Sequence, residues 1–293
     1  MTTDYTLPSS IEGFVAQWDA IVREWMTGWP PWDPELHLWA ESHRDFTTRI
    51  NKDALPEPFI GDLRRRPAAV LLSLNPGKPY MGSERWAGKY DLPEPDLQSR
   101  NGRFAREIRE DFGGSYAAWA SRWQDWKSLT GGRANTFITS RLNFVRNWLN
   151  DGSIELDDLV LFELYPWHSA RWGGGLWMPE AVGQLILSKV FIPLAILTSL
   201  ETGAANRASC YFAFGKAWSI SLGSIDAFTL ARGWGRGYEE RWAGASPSRS
   251  VELWVQPTVG AQVLVMYHSG GAGPPKKEEV PAIRQVVEPY LWS

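Results

Sequence analysis

Three apolar runs in this chain end in residues that could do chemistry. The first ends at Ser73-Leu74-Asn75-Pro76-Gly77, the second at Glu163-Leu164-Tyr165-Pro166, the third at His268-Ser269-Gly270-Gly271. Asn offers both donor and acceptor, ionised Glu only acceptors, and His changes charge near neutrality. Brought to one edge of a sheet, they could hold a water, read a ligand's hydrogen-bonding edge and stabilise an anion. His168 follows the second run closely. Each residue also has a plainer reading: Asn75 as a turn residue before proline, Glu163 as the partner of a buried arginine, His268 as a core histidine. His37 and His43 are six apart and do not share a helical face, so no metal site is expected.

The elements that must carry these residues follow from apolar periodicity. Ala68–Leu74 and Asp158–Tyr165 read as strands, the first almost continuously apolar, as in a parallel sheet covered on both faces. Two more strands are expected at Ser209–Phe214 and Gln262–Tyr267. Between them lie helical patterns at 10–28, 35–50, 102–112, 115–127, 137–150, 179–199 and 280–288. Short strands alternating with helices predict an α/β fold. The expectation is a three-layer α/β/α domain over 58–293, with a central, mainly parallel four-stranded sheet and an N-terminal helical appendage over 1–57. In such sheets ligands bind beyond the carboxyl ends of the strands, where Asn75, Glu163 and His268 fall.

Bulk properties narrow the field. One cysteine, Cys210, permits no internal disulfide and no thiolate-held zinc or iron–sulfur cluster. No cofactor is implied. No 18-residue apolar run is present and the first residues lack a signal-peptide pattern, so a cytoplasmic protein with no membrane partner, and a monomer, is expected. The net charge of −3 argues mildly against nucleic acid. Its distribution argues the other way, with nine Lys and Arg against four acids over 100–149 and four Arg against two Glu over 232–249. Eighteen tryptophans are present, several beside Gly and Arg, as in Arg232-Gly233-Trp234-Gly235-Arg236-Gly237-Tyr238. Read as a loop, that segment suits stacking on bases or sugars, with Arg232 and Arg236 toward DNA. Packing beneath long loops is the plainer reading.

Four motifs, in order, resemble the uracil-DNA glycosylase superfamily, in particular its mismatch-specific and single-strand-selective branches. Ser73-Leu74-Asn75-Pro76-Gly77 is similar to that family's first motif. Phe59-Ile60-Gly61-Asp62-Leu63 lies upstream as in the family, Phe212-Ala213-Phe214-Gly215-Lys216-Ala217 is similar to its third strand and turn, and His268-Ser269 to its His-Pro-Ser loop. The resemblance spans roughly residues 58–275. It implies that Asn75 positions the attacking water and that His268 stabilises charge on the departing base. It further implies that Tyr80, with Trp86 as competitor, stacks on the flipped base beside Leu74. DNA contacts would come from Gly77, Lys78, His168, Ser269 and Gly270. The chain departs from the family where the motif proline between His and Ser is missing.

A second departure concerns Glu163. Counting back three from Pro166 puts Glu163 where the resembling families carry a uracil-reading Asn. A carboxylate cannot donate to O4 of uracil but can accept from the N4 amino group of cytosine. The resemblance therefore implies a monofunctional DNA glycosylase acting on a modified cytosine, such as glucosylated hydroxymethylcytosine in phage DNA, as in antiviral members of the superfamily. Two alternatives stay open: a conventional uracil or damaged-base repair glycosylase, and a catalytically silent nucleic-acid-binding protein on the same fold.

Overall fold

A computed structural model describes residues 11–28, 51–74, 96–122, 136–164, 166–168, 210–223, 228–235, 237–238, 249–257, 261–268 and 273–291. The expected helices over 35–50 and 179–199 lie outside them. Helix α1 spans Ile11–Thr27 and buries Ile11, Phe14, Val15, Trp18, Ile21, Val22 and Trp25, the stripe that its 3.6-residue periodicity predicts. Helices α2 (Arg103–Glu110), α3 (Tyr116–Ala120) and α4 (Thr136–Leu149) follow, then α5 (Lys216–Gly223) and α6 (Val280–Val287), which runs into a 3₁₀ turn at Glu288–Tyr290. None of the described helices is long and apolar enough to cross a membrane.

The sheet differs from expectation in size. It has seven strands among the described residues, not four: β1 (Phe59–Ile60), β2 (Ala69–Ser73), β3 (Leu159–Glu163), β4 (Cys210–Phe214), β5 (Thr229–Trp234), β6 (Arg249–Gln256) and β7 (Ala261–His268). Their order is β1-β3-β2-β4-β7-β6-β5. The four strands expected from the sequence are the adjacent β3-β2-β4-β7. The strands β2, β4 and β7 run parallel, with Leu72, Ala213 and Val265 in one row. β2 and β3 are buried at every position, which explains their unbroken apolar sequences.

The additional strands carry weak sequence signals. β1 has two residues. β5 contains Arg232 and Gly233, so the expected loop around Arg232 is a strand as far as Trp234. β6 carries Arg249 and Glu252 inside an otherwise apolar segment. Antiparallel pairing of β5 with β6 and of β6 with β7 makes the sheet mixed.

The chain separates into two compact units. One takes Met1–Arg64, Asn75–Arg133 and Phe162–Leu197, the other Arg65–Leu74, Ala134–Leu161 and Thr198–Ser293. In the first unit, Phe14 of α1 packs 5.7 Å from Phe59 and 6.5 Å from Phe162. Asp19 of α1 accepts hydrogen bonds from the Ser115 hydroxyl and the Ala117 amide, holding the start of α3. In the second unit, Phe144 meets Phe212 and Phe214 edge-on at 4.9 and 5.5 Å, packing α4 onto β4.

Candidate active site

In the second unit the end of β2 is fixed twice. Ser73 is fully buried. Its carbonyl accepts from Trp218 Nε1 at 2.9 Å, and its hydroxyl accepts from Arg141 Nε at 3.0 Å. Trp218 comes from α5 and Arg141 from α4, so two helices hold one strand end. Arg141 is itself buried, donates to the Phe137 carbonyl at 3.1 Å, and lies over the rings of Phe137 (3.4 Å) and Phe214 (5.3 Å). Aromatic faces stabilise a guanidinium withdrawn from water, and the cation in turn favours negative charge nearby.

The strand order gives this end its significance. From β2 the chain reaches β3 on one flank and β4 on the other, so the order reverses between β2 and β4. A crevice at such a reversal, beyond the carboxyl ends, is where open α/β sheets bind ligands. Gly215 closes β4 with φ of 111°, a left-handed conformation natural to glycine. Its amide still bonds to the Met266 carbonyl at 3.0 Å, so β4 stays tied to β7 as the chain turns into α5. His268 ends β7, three residues beyond Val265, while Leu74 lies two beyond Leu72 of the same row. Both therefore stand at the same edge of the parallel strands. His268 is half-buried and pairs in register with Arg249 of β6.

The first unit holds a second group of chemical interest. Glu57, Gln98, Glu163 and His168 are all buried there. Gln98 Nε2 donates to Glu57 Oε1, and His168 Nε2 lies 3.5 Å from the same oxygen. The backbone knits the segments together: Glu57 N donates to the Pro166 carbonyl at 2.7 Å, and Glu163 N to the Pro58 carbonyl at 3.1 Å. Prolines lack an N–H, so both serve these contacts as acceptors only. Tyr116 donates to the Phe59 carbonyl at 2.6 Å. Burial, and then the negative charge of Glu57 and Glu163, push its phenol well above the usual range. Carboxylates and an imidazole gathered in an apolar interior are costly to bury, and such groups are common at functional sites.

The expected site residues thus divide. Glu163 and His168 lie in the first unit, where His168 is interior, beside Glu57. Leu74, Arg232 and His268 lie in the second. Leu74 is buried, and Arg232 sits on β5 with its guanidinium 3.9 Å over the Tyr290 ring. Asn75, Gly77, Lys78, Tyr80, Trp86, Arg236, Ser269 and Gly270 lie outside the described residues. Sequence reasoning missed Arg141, Glu57 and Gln98. Glu57 had a local signal, a lone acid between Pro56 and Pro58 in an otherwise apolar stretch. Arg141 and Gln98 had none, since each resembles an ordinary surface residue until its neighbours are known. Comparison with protein-family models, curated proteins and solved structures yields no match to this chain.

Proposed function

We propose that the chain is a monofunctional DNA glycosylase on a three-layer α/β/α domain. Its substrate would be a modified cytosine, of the glucosylated hydroxymethyl type found in phage DNA, and its role antiviral defence. The observation that carries this reading is the strand order. The reversal between β2 and β4 falls at the strand end that leads directly into Asn75, and Ser73 is anchored there by Arg141 and Trp218. Burial of Glu163 supports its role as an acceptor-only reader of an exocyclic amino group.

In the proposed reaction the target nucleotide leaves the base stack. Asn75 orients a water toward C1′ of the deoxyribose. The bond from C1′ to the base nitrogen breaks through an oxocarbenium-like transition state, and its electron pair departs with the base. His268 and the field of Arg141 favour that negative charge. Water's oxygen bonds to C1′ and releases one proton to solvent, the departing base takes up one proton, and the products are a neutral free base and an abasic site.

The test is base release from duplexes carrying uracil, cytosine, hydroxymethylcytosine or its glucosylated form. Release of the glucosylated base is expected. Asn75→Ala and His268→Ala should each slow it by roughly 10²–10³. Release of uracil alone would return the chain to conventional repair. DNA binding without release from any duplex would leave a silent binding protein.

A further inference from the structure

In the second unit β7 outruns its parallel neighbour. β4 pairs with β7 from Tyr211 opposite Val263 to Phe214 opposite Met266, and the Gly215 amide makes the last bond, to the Met266 carbonyl. The chain then turns away into α5. Tyr267 and His268 project past β4, and among the described strands they pair with β6 alone, Tyr267 with Ser250 and His268 with Arg249. A strand end bonded on one side opens more easily than one bonded on both. This overhang nevertheless carries the histidine of the candidate site.

Side chains hold the overhang on both faces of the sheet, since successive residues of a strand alternate between them. On the His268 face, its partner Arg249 is buried, lies 3.2 Å from Glu279, and donates to the carbonyls of Gly273 and Pro274 at 3.0 and 3.2 Å. On the other face, the Tyr267 hydroxyl donates at 2.7 Å to Oε1 of Glu252, a buried residue of β6. The same oxygen accepts from the Tyr238 hydroxyl, and Oε2 accepts from Trp254 Nε1 at 2.7 Å. Both carboxylate oxygens are thus fixed, which makes Glu252 a rigid anchor. Burying a carboxylate is costly, and a well-packed apolar side chain would suit the interior of β6 at less cost. A hydrogen bond, unlike an apolar contact, fixes direction as well as distance. We infer that Glu252 and Tyr267 are positioning residues for His268: they hold the overhang of β7 so that the imidazole is placed before substrate arrives. The inference rests on the glycosylase reading for what His268 does, and adds the residues that place it.

The chain has four histidines, so NMR of the full chain with labelled imidazoles gives a readable spectrum, in which the signal lost in His268→Asn is that of His268. Tyr267→Phe removes one hydroxyl and leaves Glu252 its other two donors. It should shift and broaden the His268 signal and leave that of His168, in the other unit, in place. Tyr290→Phe, which removes a hydroxyl elsewhere in the second unit, should leave both in place. In base release, Tyr267→Phe should lower kcat about tenfold with KM within about twofold of wild type, because a misplaced imidazole affects the transition state more than binding. An unchanged His268 signal, or wild-type kcat, in Tyr267→Phe would overturn the inference, and base release by the wild type would leave the glycosylase reading standing. Equal disturbance of His168 and His268 would also overturn it, as the mark of general loosening. Failure of the wild type to release a base from any duplex would overturn the glycosylase reading, while the His268 signal would still decide whether Tyr267 places the imidazole.

Discussion

Withdrawing a guanidinium from water is costly unless its surroundings compensate. Arg141 is compensated by two aromatic faces, a serine hydroxyl and a carbonyl. These contacts stabilise the positive charge within the interior. Arg141→Ala should therefore act in two ways. Losing its donors from the buried Ser73 hydroxyl and the Phe137 carbonyl should destabilise the fold by about 1–3 kcal/mol for each group left unsatisfied. Base release, if that is the activity, should fall in kcat more than in KM, because the substrate's ground state carries less negative charge at the base than its transition state does. Urea unfolding and single-turnover kinetics measure the two effects separately. The residue itself was not legible: helix α4 reads as amphipathic, and one arginine on it looks like any other until β2 is laid beside it.

At the scale of elements, β5 and β6 show how a local pattern misleads. Arg232-Gly233-Trp234 reads as a loop because glycine and arginine interrupt the apolar run. Gly233 is nevertheless required by the strand. A Cβ there would fall inside the Tyr238 ring, which packs directly against it. That placement lets the Tyr238 hydroxyl donate to Glu252, which also accepts from Tyr267 at 2.7 Å and from Trp254 Nε1 at 2.7 Å. A glutamate inside β6 is thus satisfied by three aromatic donors, and its charge, which hid the strand in the sequence, is accommodated. Gly233→Ala should displace Tyr238 and cost about 1–3 kcal/mol. If so, adding Tyr238→Phe to that variant should cost little further, because the hydrogen bond is already lost. A double-mutant cycle by chemical unfolding measures this coupling.

At the scale of the whole molecule, alkaline pH reaches both units. Tyr116 lies in the first, Tyr238 and Tyr267 in the second. All three phenols titrate above their ordinary value, with burial the leading cause. Nearby carboxylates add to it, Glu57 and Glu163 for Tyr116 and Glu252 for the other two. An acid whose folded pKa exceeds its unfolded one keeps its proton longer when folded. Its contribution to stability is complete below the unfolded value of about 10 and is lost as pH rises from there toward the folded value. Stability should therefore fall on the alkaline side of about pH 10. Of the nine tyrosines in the chain, these three should ionise with unfolding and not before it. Following phenolate absorbance and circular dichroism together through an alkaline titration checks this; more than six early, reversible ionisations in the folded protein would contradict it.

The sequence by itself determined the parts whose cause is local. The stripe of α1 and the buried runs of β2 and β3 arise from apolar patterning within a few residues. These sufficed to identify the four adjacent strands at the centre of the sheet. Only the tertiary structure decided the rest. Whether His168 lies beside Glu57, whether Ser73 meets Arg141, and whether a segment holding Arg232 and Gly233 pairs as a strand depend on partners distant in the chain. A buried charge or an interrupted strand is stabilised by those partners, and its own neighbours in sequence carry no record of them.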